Sequence, residues 1–576
     1  MNPAGSVVES LLPLPVLLPL LGAGLTLVLA GRPRAQRAVS VAVLVAVVAV
    51  AAVLLAGAAD RPRVVTLGSW PAPLGITLVA DQLSTIMLLT SMTVTLLVLL
   101  YAVAQGTSDE DERAPVSIFH PTYLVLAAGV ANAFLSGDLF NLYVGFEVLL
   151  MASYVLLTLG GTRSRVRAGL TYVVVNVVSS LVFLAGIALV YAAVGTLNLA
   201  QIAERMASVP PGTALAIHLV LLTAFAIKAA LFPLSAWLPD SYPTAAAPVT
   251  AVFAGLLTKV GVYSIIRTQT LLFGDDTVVR DVLLVAALAT MVIGALGAIA
   301  QDDVKRILSF TLVSHIGYMI FGIGLGTPAG IAGAVFYVVH HITVQATLFC
   351  VVGLVERVGG STSTTRLAGL AAASPALALL FFVPAVNLGG IPPLSGFVGK
   401  LGLLEAGADD GGVLAWVLVA GAVLTSLLTL YAMAKVWVLA FWRPRDQVPA
   451  IAAWDEEDED GPEAGDGDLG ADEHPVLVGG GRAAAGAPAG HGTYSGAFLG
   501  APSRRDGAEA DAPPRHVALP RGMTAATAGL VAVGLALTVF AGPLYSLADR
   551  ASSDLVARTP YVTAVFSQTV DDRVAR

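Results

Sequence analysis

Apolar residues along this chain do not alternate with polar ones. They gather into blocks separated by Pro, Gly and small groups of charged residues, and the blocks recur over nearly all of its length. A helix needs about 20 mainly apolar residues to cross a hydrocarbon core, and the blocks have that length. They predict helices near 8–30, 37–59, 80–104, 118–136, 139–160, 169–194 and 214–237. Seven more are expected near 246–270, 281–300, 304–325, 329–356, 374–406, 412–442 and 522–547. The absence of a two-residue period argues against a membrane β-barrel. The first residues, MNPAGSVVES, lack the basic region of a secretory signal, so the first span is expected to remain in the mature chain. The fold class expected is therefore an all-α integral membrane protein of about fourteen transmembrane helices.

Composition agrees: 56% of the 576 residues are hydrophobic and only 12% charged, where an ordinary soluble domain carries roughly 25%. The single cysteine, Cys350, lies inside an apolar run, which leaves no disulfide, zinc or iron–sulfur framework. Gly322, Gly324 and Gly326 have dinucleotide-like spacing, but they sit within a hydrophobic helix and point to close helix packing. No cofactor, bound metal or nucleic-acid partner is expected. The net charge of −8 comes mostly from one loop and says nothing about a substrate.

Basic residues set the orientation. Loops after odd-numbered helices carry thirteen of them: Arg32, Arg34, Arg37, Arg113, Arg163, Arg165, Arg167, Lys305, Arg306, Arg357, Arg366, Arg443 and Arg445. Loops after even-numbered helices carry five: Arg61, Arg63, Arg205, Arg267 and Arg280. The odd side is thus expected in the cytoplasm and both termini outside. Within segment 446–521 the acidic run Asp455 to Asp460 leads into a stretch rich in Gly, Ala, Pro and Asp. Its composition predicts a disordered cytoplasmic loop.

The chemistry is carried by charges inside the spans. The lysines are Lys228, Lys259, Lys305, Lys400 and Lys435, and only Lys305 belongs clearly to a loop. Each lysine at a helix centre costs about 2.5–3.5 kcal/mol, so several of them imply a role. Lys435 fits snorkelling to an interface marked by Trp442 and Arg443. Glu147 stands mid-way in the fifth span with Tyr143 and Tyr154 on its face, and Lys228 at similar depth is its expected partner. A direct pair at about 4 Å in an effective dielectric near 20 is worth roughly 4 kcal/mol. His340 and His341 interrupt the eleventh span with Gln345 one turn on, and an imidazole relays protons near neutrality. His218 and His315 are taken as packing residues. Two segments, around Pro233-Leu234-Ser235 and Pro393-Leu394-Ser395, place proline in a span, which frees a carbonyl to line a cavity. Both helices are expected to break there, each beside a lysine, as in inverted repeats.

These residues stand in motifs: DLFNLYVGFEVLLMASYVL, KAALFPLSAWLPDSYPTAAAPVTAVFAGLLTKVGVYSIIR, QDDVKRILSFTLVSHIGYM and GIPPLSGFVGK. In them the chain resembles the antiporter-like proton-pumping subunits shared by Mrp-type sodium/proton antiporters and respiratory complex I, over most of its length. The surroundings of Glu147 and Lys259 most resemble the D-type branch of the Mrp antiporters. The resemblance implies a proton pathway of Glu147 paired with Lys228, then Lys259, His341 beside His340, and Lys400 as terminal station. Gln345 departs from the pattern, since relatives often carry lysine there. It further implies exchange of external H+ for internal Na+, with partners that include a large A-type subunit plus several small membrane subunits, in a bacterial cell membrane. The alternative is an antiporter-like subunit of complex I, a redox enzyme. The short tail 548–576 cannot supply the lateral helix of one complex I homologue, and another typically has glutamate where Lys400 stands.

The expected organisation is helices one to three in 1–117, a first half-channel repeat in 118–270 and a second in 271–445. Two inverted five-helix repeats, each with a broken helix, make up the centre. The acidic loop 446–521 and a last helix with an external tail, 522–576, complete the chain.

Overall fold

A computed structural model describes residues 3–70, 72, 74–106, 116–273, 276–447 and 519–574. The expectation for 446–521 therefore lies almost wholly outside the described residues. The first apolar block is two helices, α1 (Pro3–Leu11) and α2 (Leu14–Val28), parted at Pro13, followed by α3 (Pro33–Gly57). The next segment departs from an all-helical reading. Strands β1 (Arg63–Thr66) and β2 (Thr77–Ala80) pair antiparallel, with Arg63 opposite Ala80 and Thr66 opposite Thr77. Val64, Val65, Thr66, Thr77 and Val79 are β-branched and favour extended pairing in a short link between spans.

The first half continues with α4 (Gln82–Gln105), α5 (Val116–Leu135), α6 (Leu139–Thr158), α7 (Arg163–Val194), the short α8 (Leu199–Met206) and α9 (Pro211–Ala229). Asp81, Asp138 and Asn198 cap α4, α6 and α8 through side-chain oxygens that accept first-turn N–H groups. After α9 come α10 (Trp237–Ser241) and α11 (Ala247–Val252), then a π-helical turn at Phe253–Leu257 leading into α12 (Thr258–Leu271). The second half holds α13 (Thr277–Ala300), α14 (Val304–Leu325), α15 (Pro328–Gly359), α16 (Leu370–Ala373), α17 (Pro375–Gly389), α18 (Ser395–Asp410) and α19 (Val413–Val436). Helix α19 runs into a second π-helical segment, Trp437–Trp442. Finally α20 (Arg521–Val539), α21 (Ala541–Ala557) and α22 (Thr559–Val574) follow.

Among the described residues thirteen helices are long and apolar enough to cross a membrane. The block read as one span over 374–406 is the two shorter helices α17 and α18, and the block 214–237 stops at Ala229. The tail also differs from the reading of a short polar segment. Two helices follow a bend at Phe540: Ala548, Ala551 and Leu555 of α21, and Tyr561 and Val565 of α22, recur at helical spacing within each helix and are buried.

Helix α15 forms the axis of the second half. It is buried along almost its entire length and packs against α14, α17, α18, α20 and α21. Outer helices such as α2, α7 and α19 instead expose Leu21, Leu170, Leu181, Leu424 and Leu427, as surfaces solvated by lipid do. The chain is a multi-pass helical membrane protein.

Candidate functional site

The site begins where α9 breaks. Ala230 takes a left-handed conformation (φ 59), Pro233 has no N–H to give, and regular helix resumes only at Trp237. Lys228 sits on the last turn before the break, 4% exposed, with its ammonium 5.1 Å from the centre of the Phe146 ring. Its Nζ donates to Ser180 Oγ at 3.2 Å, and Ser180 Oγ donates to Glu147 Oε1 at 2.5 Å. Glu147 and Lys228 thus share a site, but not as the direct pair the sequence suggested. No ion pair within 4 Å joins them among the described residues. The intervening Ser180 was missed because a serine in an apolar span reads as a local backbone-bonded residue. The available signal was its doubling: Ser179 beside it bonds the Ala224 carbonyl of α9.

Lys259 lies next along the chain, fully buried. The π-helical turn before it shifts the backbone bonding pattern, and Nζ donates to the Ala254 carbonyl at 2.5 Å. Gly261 lets α12 approach the end of α9. A Cβ there would lie 2.7 Å from Ala229 N and 3.0 Å from the Lys228 carbonyl carbon.

On α15 both histidines are fully buried. The rings of His341 and His315 are 5.2 Å apart. His315 Nδ1 bonds the Tyr337 hydroxyl at 2.6 Å, and its Nε2 lies 3.5 Å from Thr429 Oγ1. His340 Nδ1 meets Ser395 Oγ at 3.0 Å. His315, read from sequence as a packing residue, therefore stands inside the polar group; only the fold could bring α14 to α15 at that point. His218 does pack, stacked on Phe273 at 4.0 Å. Gln345 donates to the Leu308 carbonyl at 2.7 Å and so ties α15 to α14.

The second break follows α17. Gly390 is left-handed (φ 83), Pro393 lies in the gap, and α18 starts at Ser395. Asn387 Oδ1 accepts from Gly396 N at 2.8 Å, and Thr538 Oγ1 accepts from Ser395 N at 2.9 Å, so both flanks hold the new helix start. Lys400 turns back to the end of α17. Its Nζ donates to the Leu388 and Gly389 carbonyls at 3.1 and 3.2 Å and to Ser426 Oγ at 2.9 Å, with the Tyr318 ring centre 5.0 Å away. These carbonyls are the negative end of a helix and suit a cation. Lys435 is of another kind: it bonds the Ile299 and Gln301 carbonyls and pairs with Asp302 at 3.0 Å, closing the end of α13.

Glu147, half-buried, reaches Lys228 through Ser180, and the further polar groups, in chain order, are the buried Lys259, the imidazoles with Tyr337 and Ser395, and Lys400. Ser180 links Glu147 to Lys228, Ser395 and Tyr337 hold His340 and His315, Ser426 holds Lys400, and Lys259 is held by a backbone carbonyl. Among the described residues no cluster of His, Cys, Asp and Glu is placed to hold a metal ion.

Residues 136–428 match the family described as NADH:quinone oxidoreductase/Mrp antiporter, transmembrane. The chain is 42% identical to a D-type subunit of a Na(+)/H(+) antiporter from Alkalihalophilus pseudofirmus, over 75% of this chain and 87% of that one. The D-type subunit of the same kind of antiporter from Bacillus subtilis is 38% identical over 76% of this chain and 88% of that one. Among solved structures, a chain of the Mrp complex from a Dietzia species superposes with a TM-score of 0.80 at 33% identity, covering 97% of this chain and 99% of that one. A chain of an archaeal membrane-bound sulfane sulfur reductase shares the fold at a TM-score of 0.79 and 22% identity, over 97% of this chain and 100% of that one. With a polar row of this make-up inside a fold of this kind, the chain belongs to the NADH:quinone oxidoreductase/Mrp antiporter family of membrane proteins, among relatives named as D-type subunits of Na+/H+ antiporters.

Proposed function

We propose that this chain is the proton-translocating subunit of a multisubunit Na+/H+ antiporter, exchanging external H+ for internal Na+. One observation carries the reading: ionisable groups, half-buried at Glu147 and buried from Lys228 to Lys400, occur on helices α6, α9, α12, α14, α15 and α18, with Ser180 of α7 joining the first two. Intramembrane charges at this density are retained for ion movement.

A proton that reaches Glu147 cancels the negative charge favouring the ammonium of Lys228. Through Ser180 the change is felt at once, because one hydroxyl touches both groups. The lysine's proton then moves toward Lys259, the histidines and Lys400. Each charge crossing the membrane potential is worth about 2.3 kcal/mol per 100 mV, so admission of more protons than sodium ions expelled drives sodium outward. The chain is a transporter component and not a catalyst in its own right. Its work requires other members of the assembly, including the large A-type subunit plus small membrane subunits, in a bacterial cell membrane. The basic loops lie in the cytoplasm and both termini outside.

Paired features support two inverted five-helix repeats. Asp138 caps α6 and bridges to Asn198, as Asp303 caps α14 and bridges to Ser363. Each half has one broken helix and one π-helical segment. The complex I alternative shares the family, but the relatives named as antiporter subunits favour antiport. Everted vesicles carrying the complete complex test the function. Sodium should collapse a preformed pH gradient, and failure to do so in the presence of an assembled complex would refute antiport.

A further inference from the structure

The outer end of α12 is held by the last two helices. Arg558, the residue after α21, adopts φ +59, a conformation that side-chain-bearing residues seldom take. In that pose its guanidinium donates from Nε to the Thr270 carbonyl at 2.7 Å and from Nη2 to the Phe273 carbonyl at 2.5 Å. A cation on terminal helix carbonyls is favourably placed. Three residues on, the Tyr561 ring centre is 5.0 Å from Arg267 Cζ, while Arg267 grips Asp81 with two bonds of 2.6 and 2.8 Å. Asp81, Arg267, Asp554, Arg558 and Tyr561 line one small crevice. Tyr263 adds its hydroxyl to Arg267 from the same helix. Phe273, whose carbonyl Arg558 binds, stacks on His218 of α9. Lys259, Tyr263 and Arg267 follow at intervals of four, on one face of α12.

The grip therefore acts on the helix that carries Lys259 and touches the helix that carries Lys228. We propose that Arg558 is a positioning residue for Lys259: by capping α12 it sets the register of that helix against α9 and α15. The register fixes how far a proton travels from Lys228 to Lys259 and on to His341. This rests on the reading of Lys259 as a station on the proton route. Positional errors of about 1 Å away from the reacting groups can cost a hundredfold in rate.

Arg558→Ala, Arg558→Lys and Lys259→Met are to be compared in the complete complex in everted vesicles, with assembly followed on native gels. Sodium-dependent exchange is measured as a function of pH. The alanine variant should assemble, lose at least about tenfold in exchange and show a displaced pH profile. Arg558→Lys, which restores a cation at the helix end, should recover part of the rate and move the profile back. If the alanine variant does not assemble, Arg558→Gln carries the same test, since it keeps an amide donor without the charge. An assembled Arg558→Ala or Arg558→Gln variant with the unaltered rate and pH profile, beside an inactive Lys259→Met, overturns the positioning role and leaves the route standing. Normal exchange by Lys259→Met overturns both.

Discussion

Ser180 donates its hydroxyl to Glu147 at 2.5 Å, and the same oxygen accepts from Lys228 at 3.2 Å. Acid and base are therefore coupled through a group that can turn round, giving to one side what it takes from the other. Losing a hydrogen bond to a charged group costs about 1.5–3 kcal/mol, and each 1.4 kcal/mol is a factor of ten. Ser180→Ala should lower sodium-dependent exchange in vesicles by about tenfold or more. Ser180→Thr keeps the hydroxyl and should retain most of the rate. Equal activity in both variants would remove the serine from the route.

The close approach of α12 to α9 depends on Gly261, where an added methyl meets backbone 2.7 Å away. Backbone cannot yield as a flexible side chain does, so Gly261→Ala must push the helices apart. Overpacking of this kind costs about 1–3 kcal/mol. A lower thermal midpoint of the complex and reduced exchange are expected. An unchanged midpoint would mean the helices already have room.

Much of this was legible in the sequence for one physical reason: ionisable residues are so costly inside a membrane that the few present stand out. Glu147, Lys228, Lys259 and Lys400 stand out in the sequence as ionisable residues within apolar blocks, the three lysines are buried in the fold, and the prolines at 233 and 393 lie in the gaps where helix stops. Neutral partners carry no such cost signal. Ser180 and Ser426 look like any serine, and His315 like any buried imidazole, until α14 and α15 are packed. The backbone acceptors could not be read at all: the Ala254 carbonyl becomes available through a π-helical turn, and the Leu388 and Gly389 carbonyls through a helix end. The β1–β2 hairpin was lost because two four-residue strands are too short to register a period.

Burial pushes the Asp81 carboxyl up, but the Arg267 guanidinium outweighs it and holds the group below the usual carboxylate range. A lowered folded-state value means that the stabilisation is complete above the unfolded value and is lost as pH falls through the folded one. The thermal midpoint of the complex should thus decline in the acid range. Asp81→Asn leaves Arg267 buried without its partner, a loss of about 3–5 kcal/mol. It should lower the midpoint at neutral pH and flatten the acid decline, and a variant with the unaltered profile would contradict this.

Lys400 should be required as a group that releases its proton. Lys400→Met leaves the Leu388 and Gly389 carbonyls without the ammonium and should abolish exchange. Lys400→Arg keeps a cation that does not deprotonate and should fail as well. Wild-type exchange by the arginine variant would show that only a fixed charge is needed.

A proton route from Glu147 to Lys400 must pass the Glu147–Lys228 couple first, so interruption there should stop exchange. Glu147→Gln removes the acceptor and Lys228→Ala the donor, each leaving Ser180 with one ionisable neighbour fewer. The decisive measurement is sodium-dependent collapse of a pH gradient in everted vesicles for both single variants and the double, with assembly verified for each. Each single change should abolish the response, Glu147→Asp should keep part of it, and the double variant should be no worse than either single one, because the two act on one step. If both single variants assemble and exchange at the wild-type rate, the couple is structural and the proton route lies elsewhere.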